Sequence, residues 1–233
     1  MAAGRGTRMG ADLPKQFLRL GGIAVLHRTI LKFKEAIPDI KVITVLPPNG
    51  EYNSYWGNYC AEQGFLCTQR IVNGGITRFH SVKSALSVVP DGAIVAIHDG
   101  VRPMLSTKMI SRMFAHFENP DVRGLIPVVP IVDTLKNLQR ETDANGETML
   151  SEMEGPGPDR SLIYAVQTPQ IFCSEDIKAA YGQAYSTDFT DDSSVASKYK
   201  IPLSFCEGER LNIKITSPDD LVLAEAVLSN GRL

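Results

Sequence analysis

Ala93-Ile-Val-Ala-Ile97 is an unbroken apolar run of strand length, closed at once by His98-Asp99-Gly100-Val101-Arg102-Pro103. A run without polar alternation suits a strand covered on both faces, as in parallel sheets flanked by helices. Ile40-Lys-Val-Ile-Thr-Val-Leu46 is a second such segment, ended by Pro47-Pro48. Around these two runs the helical signals alternate with strand signals. Leu26, Ile30 and Phe33 recur at helical spacing, a helix is expected from about Tyr52 to Glu62, and Arg70-Ile-Val72 reads as a short strand. Gly74-Gly75-Ile-Thr77-Arg78 opens a helix carrying Val82, Ala85, Leu86 and Val89, and Ser106 to Glu118 reads as a helix whose inner stripe is Ile110, Met113, Phe114 and Phe117. The rhythm of strand, loop and helix predicts an α/β chain with a doubly wound, mostly parallel, Rossmann-like sheet. Ligands of such sheets gather beyond the carboxyl ends of the strands, and Asp99 falls there.

Gly124 to Lys136 is a long extended segment whose prolines restrict its hydrogen bonding. The chain then turns polar from Asn137 to Asp159, with Asn145-Gly146 as a hairpin signal and Gly155-Pro-Gly-Pro158 as a loop. Residues 137–160 therefore read as a protruding β-arm on a single domain, 1–233. An arm too small for its own core packs on a partner subunit, giving a homodimer, or stays a mobile surface loop. After Leu162 to Val166 and Gln167-Thr168-Pro169-Gln170, a helix capped by Ser174 is expected, and Thr190-Asp191-Asp192 is a polar turn before another helical stretch. Asn212-Ile-Lys214-Ile-Thr216 is strand-like, and Ser217-Pro218-Asp219-Asp220 has the cap, proline and acidic first turn of a final helix.

The first sixteen residues combine Gly4, Gly6 and Gly10 with Arg5, Arg8 and Lys15. Glycines let a backbone present N–H groups to an anion, and the cations add full charge, so the stretch reads as a triphosphate cradle or as a Gly-rich surface turn. It is neither the common phosphate loop, which needs Gly-Lys where Met9-Gly10 stands, nor the dinucleotide fingerprint, whose third glycine is replaced by Met9. With 24 Lys and Arg against 26 Asp and Glu, the net charge of −2 supports neither a nucleic-acid coat nor an anionic membrane surface, so positive charge must be local. Cys60, Cys67, Cys173 and Cys206 lack CxxC pairing and read as buried reduced thiols rather than zinc ligands. The absence of a signal peptide or a long apolar run points to the cytoplasm.

Taken together, Ala2-Ala-Gly-x-Gly-x-x-Arg8-Met9, Pro14-Lys15-Gln16, Gly74-Gly-x-x-Arg78-x-x-Ser81-Val82, His98-Asp99-x-x-Arg102-Pro103, Asp133-Thr134, Gln167-Thr-Pro-Gln170, Thr190-Asp191-Asp192 and Asn212-Ile-Lys214-Ile-Thr216 resemble the 2-C-methyl-D-erythritol 4-phosphate cytidylyltransferases of the non-mevalonate isoprenoid pathway. The resemblance implies that CTP and a sugar-alcohol phosphate are joined into a CDP-sugar alcohol with release of diphosphate, with magnesium as the divalent metal. It implies Arg8, Lys15 and Lys214 as the catalytic cations on the triphosphate. It implies Ala2, Ala3, Gly4, Gly6, Gly75, Ser81, Asp99 and Gly100 around CTP, with Asp99 also near the metal. Thr134, Arg160 and Thr168 would hold the sugar phosphate, Arg160 from the neighbouring subunit. His98 is assigned no chemistry, and Met109 and Met113 read as core.

Val101 is also reminiscent of ribitol-5-phosphate cytidylyltransferases, while Arg160, at its spacing before Thr168-Pro169, fits the methylerythritol enzymes. A non-catalytic sugar-nucleotide binder is the alternative from another class, and it has less need of three converging cations. The resembled family carries a buried strand immediately before the Ala-Ala-Gly loop, where here only Met1 stands. The resemblance therefore implies that the first strand is missing from the N-terminus and that the natural chain begins upstream.

Overall fold

The structure, a computed structural model, describes residues 1–4, 10, 13–143 and 145–231. The chain opens with a small hairpin, β1 (Arg19–Leu20) and β2 (Ile23–Ala24), and α1 (Val25–Ala36). Then come β3 (Val42–Leu46), α2 (Asn53–Glu62), β4 (Gln69–Asn73), α3 (Arg78–Leu86), β5 (Ile94–Ile97), α4 (Thr107–Phe117) and β6 (Gly124–Pro130). The arm is β7 (Leu138–Thr142) with β8 (Thr148–Glu152), and the chain ends with β9 (Tyr164–Val166), β10 (Gln170–Cys173), α5 (Ser174–Ala180), α6 (Asp192–Lys198), β11 (Ser204–Glu207) and α7 (Pro218–Ser229).

The central sheet runs β11-β6-β10-β5, with β9 also on β6, and β3 and β4 form a parallel pair beside it. In the central sheet β5, β6 and β11 run one way and β9 and β10 the other. Helices cover both faces, as the unbroken apolar runs require. Phe79, Val82 and Leu86 of α3 pack with Ile97, Ile126, Phe172, Ile177 and Val195 on one side. Met109, Met113 and Phe117 of α4 pack on Leu125 and Ile171 on the other. Among the described residues, β3 pairs only with β4 and β5 only with β10, and the two sheet parts meet at residues 1 and 2.

Local chemistry explains the helix starts. Ser106 accepts from the Met109 N–H at 3.0 Å, and Asp191 with Ser194, and Ser217 with Asp220, form reciprocal capping boxes. The last helix begins as its sequence requires, with Pro218 at the first position. Ser174 is not a cap: it is the first residue of α5, with Cys173 at the cap position, and its hydroxyl accepts from the Ala93 N–H at 3.1 Å. The stretch from Asn212 to Thr216 is not a strand, because its backbone serves other groups: the Ile215 N–H donates to the Val101 carbonyl and the Arg102 guanidinium to the Asn212 carbonyl. Phe114 is only partly buried. β6 is a fully paired inner strand despite its prolines, since the Pro127 carbonyl still accepts, from Gln167 N–H at 2.8 Å.

The arm is a hairpin whose strands pair with each other, closed where Asp143 caps the Asn145-Gly146 turn and Gly146 takes a φ of +83°. The four thiols are free of disulfides and half-buried, and burial raises each of them. Among the described residues no helix is long and apolar enough to cross a membrane.

Candidate active site

Asp99 follows the carboxyl end of β5 and is 7% exposed. Three cations surround it: Lys214 Nζ at 3.0 Å, Arg102 Nε at 3.5 Å and Arg78 Nε at 3.8 Å. Burial alone would raise this carboxyl, but the charges of Lys214 and Arg78 overcome it and hold Asp99 far below the usual carboxylate range. Each cation is itself positioned. Arg78 forks both Nη atoms onto Asp192, at 2.8 and 2.5 Å, and Tyr181 donates its hydroxyl to the same carboxylate at 2.6 Å. Asp192 is fully buried. Burial works against the Arg78 charge, yet Asp192 raises its affinity for the proton; burial and the Asp192 charge raise the Tyr181 phenol in the same way. Lys214 arrives from the far end of the chain because Asn212 is clamped on both sides: Arg102 holds its carbonyl at 2.7 Å, and its amide donates to the Thr168 carbonyl at 2.8 Å.

The loop carrying Asp99 is fixed from beneath. His98 lies 8% exposed, and burial pushes its pKa down to about 3, so the ring is neutral. With Nε2–H assigned as donor to the Arg102 carbonyl at 3.2 Å, Nδ1 accepts from the Thr168 hydroxyl at 3.0 Å, and that hydroxyl accepts the Asp99 N–H at 3.1 Å. Thr168 thus spends its hydroxyl on orienting Asp99. Its peptide to Pro169 is cis.

The adjoining lip is built of small residues. Ala2 donates its N–H to the Val45 carbonyl, and Gln16, 1% exposed, donates its amide to the carbonyls of Ala2 and Gly4 at 2.7 and 3.0 Å. Ser81 accepts the Gly75 N–H at 3.0 Å and donates to Thr77 carbonyl at 2.9 Å, closing the turn into α3. Gly74 must lack a side chain: a Cβ would stand 2.6 Å from that of Ala3 and 3.0 Å from the Leu46 carbonyl. Gly100 has slightly more room, and its Cβ would lie 3.0 Å from Leu26 and 3.2 Å from Met1 O. The Gly100 N–H donates to that Met1 carbonyl, which ties the lip to the Asp99 loop. Lys15 lies in a single turn, Lys15–Phe17, near enough to Asp220 for its charge to help lower that carboxyl, against the opposing effect of burial and with hydrogen bonds from Ser217 and Thr216. Arg8 and Gly6 lie outside the described residues.

Thr134 and Arg160 are exposed at the foot of the arm, where Arg160 donates to the Val132 carbonyl at 2.9 Å. Among the described residues no hydrogen bond or ion pair joins them to the Asp99 cluster. Among the described residues no group of three metal-ligating side chains occurs, so a protein-only cage for a divalent cation is not built here. Magnesium, however, is commonly held by one or two carboxylates plus phosphate oxygens, and Asp99 fits that smaller role. Arg78, Arg102 and Asp192 carry the electrostatics and had no role assigned from sequence; the signal was their presence inside the motifs. Three buried polar atoms without hydrogen-bond partners among the described residues, Arg102 Nε, Asn212 Oδ1 and Gln170 Oε1, belong to the same neighbourhood.

The family model described as IspD, 2-C-methyl-D-erythritol 4-phosphate cytidylyltransferase, matches residues 1–230. A protein of Bacteroides thetaiotaomicron named 2-C-methyl-D-erythritol 4-phosphate cytidylyltransferase is 42% identical over 228 residues, 98% of this chain and 97% of that relative. One of Porphyromonas gingivalis with the same name is 40% identical over 232 residues, 99% and 96% of the two chains. Among solved structures, the cytidylyltransferase of Thermus thermophilus superposes with a TM-score of 0.69 at 29% identity, covering 95% of this chain and 96% of that one. The 4-diphosphocytidyl-2C-methyl-D-erythritol synthase of Anaerococcus prevotii superposes at 0.74 with 25% identity, covering 98% and 95%.

Proposed function

The chain belongs to the 2-C-methyl-D-erythritol 4-phosphate cytidylyltransferase family, and from that membership we propose how its residues divide the work of the reaction. It is a nucleotidyltransferase that joins CTP and 2-C-methyl-D-erythritol 4-phosphate into 4-diphosphocytidyl-2-C-methyl-D-erythritol and diphosphate; the ribitol phosphate and non-catalytic alternatives are not favoured. The observation that carries the residue assignment is the convergence of Lys214, Arg102 and Arg78 on buried Asp99, whose loop the Gly100 to Met1 hydrogen bond ties to the lip of small residues.

The methylerythritol phosphate oxygen attacks the α-phosphorus of CTP in line, so the protein's task is positioning and charge neutralisation. The lip, with backbone groups held by Gln16 and Ser81, takes the cytidine. Lys214, Lys15 and Arg8 neutralise the charge that develops on the α-phosphoryl group. Lys214 is 42% exposed, so its ammonium can reach a phosphate while Asp99 keeps it aimed. Asp99 would hold magnesium together with CTP phosphate oxygens, the metal supplying further charge neutralisation. Thr134 and Arg160 take the acceptor, with Thr168 acting through the Asp99 loop. The exposed apolar side chains Leu138, Met149, Leu150, Met153 and Leu162 support a homodimer formed through the arm, which would carry Arg160 into the partner's site. A cytoplasmic location suits the soluble substrates.

Diphosphate release from CTP tests the reading. It is expected with methylerythritol phosphate and at least tenfold slower with ribitol phosphate; the reverse preference overturns the acceptor, and no release with either overturns the enzyme. Sedimentation should give a dimer that Leu150→Asp converts to monomer, and a monomeric wild type refutes the arm assignment.

A further inference from the structure

Lys214 reaches Asp99 from a segment between β11 and α7 that belongs to no helix or strand, so other bonds must hold its ammonium at 3.0 Å. The nearest is the Arg102 guanidinium on the Asn212 carbonyl at 2.7 Å. One bond of that kind lets a segment pivot about it, whereas a second, set apart from the first, fixes its direction. Glu209 supplies the second.

Glu209 is gripped by its backbone and by its carboxylate. The Gln167 side-chain amide donates to the Glu209 carbonyl at 2.8 Å, and its oxygen accepts the Glu209 N–H at 3.2 Å, so one side chain pairs with one residue's backbone as a neighbouring strand would. Gln167 is buried, and its own N–H donates to the Pro127 carbonyl at 2.8 Å, which anchors the grip on β6. The amide fits because residue 208 is glycine: a Cβ there would stand 2.5 Å from Gln167 Oε1. The Glu209 carboxylate takes both donors of Ser106, the N–H at 2.8 Å and the hydroxyl at 2.5 Å, while that hydroxyl caps α4 by accepting the Met109 N–H. Ser106 is joined to the Asp99 loop through Met104 and Leu105, both fully buried. The Asn212 N–H closes the turn by donating to the Glu209 carbonyl at 3.0 Å. The loop of Asp99 and the segment of Lys214 are thus pinned together twice, Arg102 to Asn212 and Ser106 to Glu209.

We propose that Glu209 is a positioning residue for Lys214, held by Gln167 and Ser106 so that the ammonium is aimed when charge develops on the α-phosphoryl group; this rests on the assignment of Lys214 to that group. Its effect falls on turnover more than on CTP binding. A misaligned ammonium still attracts a bound triphosphate, because Coulomb attraction falls slowly with distance, but it loses the close, directed contact made in the transition state. The fold does not depend on the pin. Arg112 still holds the Glu207 carbonyl at 2.5 Å, and the Gly208 N–H still donates to the Val128 carbonyl at 2.8 Å, so β11 stays in place without the Glu209 carboxylate.

Diphosphate release from CTP and methylerythritol phosphate by Glu209→Ala, Lys214→Met and the double variant tests this, with circular dichroism to confirm folding. Glu209→Ala should lower kcat by about 10- to 100-fold and change the KM for CTP by less than about threefold. In the Lys214→Met background the same substitution should cost less than about twofold, because the group that it aims is gone. A Glu209 that only supports α4 would cost the same factor in both backgrounds. That result, or a kcat for Glu209→Ala within about threefold of wild type, overturns the proposal and leaves Lys214 in its role. A Lys214→Met that keeps turnover within about tenfold of wild type overturns the Lys214 assignment, and the proposal with it. Gln167→Met loosens the same grip without touching Glu209, and carries the test if Glu209→Ala does not fold. It should reproduce both the loss in kcat and its disappearance beside Lys214→Met, and equal losses in the two backgrounds overturn the proposal.

Discussion

Replacing Arg78 by methionine removes two of the three side-chain donors that hold Asp192 among the described residues, leaving the Tyr181 hydroxyl on a fully buried carboxylate. Breaking a buried pair from one side costs about 3–5 kcal/mol, because the remaining charge is left uncompensated. Arg78 is 30% exposed at its side chain, so water screens part of the interaction and the lower end, about 3 kcal/mol, is expected. For a domain of this size that is a fall of roughly 6 to 12 °C in the thermal midpoint. Urea unfolding of Arg78→Met, Asp192→Asn and the double variant measures it. Asparagine keeps an acceptor for Tyr181 without the charge, so the double variant should recover about 1–2 kcal/mol relative to the sum of the single changes. A loss below about 1 kcal/mol for Arg78→Met, or additive single effects, would refute the claim that the Arg78 and Asp192 charges depend on each other.

Lys214→Met should lower turnover by about 10²–10³, the scale for one charge-stabilising donor, with circular dichroism unchanged; a loss under tenfold in steady-state diphosphate release removes Lys214 from the mechanism. Gly74→Ala should cost about 1–3 kcal/mol and weaken CTP binding, because its Cβ meets Ala3 and the Leu46 carbonyl; wild-type stability and CTP affinity by calorimetry would contradict the packing. His98 is neutral when folded down to about pH 3 but takes a proton in the unfolded chain below its ordinary 6.5. The unfolded state therefore binds more protons across that window, so stability is full above pH 6.5 and falls as pH drops toward 3, by up to about 1.4 kcal/mol per unit from this group. His98→Gln should flatten that part of the profile in urea titrations from pH 4 to 7, and an unchanged slope would assign it elsewhere.

The α/β class, the order of strands and helices and the hairpin at Asn145-Gly146 were legible in the sequence, because local periodicity, caps and turn residues act over a few positions and need no distant partner. Ser217-Pro218-Asp219-Asp220 is such a case. Asn212 to Thr216 is the opposite case. Its alternating apolar residues suit a strand, but Val101 and Arg102, more than a hundred residues away, take its backbone groups and use the segment to deliver Lys214. Asp99 and Lys214 could be named from motifs, yet that they stand 3.0 Å apart is a property of the fold. Likewise, nothing local in Arg78 or Asp192 tells that they neutralise each other in the interior, since a buried charge acquires its meaning only from the partner packed against it. The sequence by itself settled the α/β class and most of the strands and helices, because those rest on local periodicity, caps and turns. Tertiary structure alone decided which cations face one carboxylate and that Thr168 serves the Asp99 loop, because these depend on contacts between residues remote in the chain.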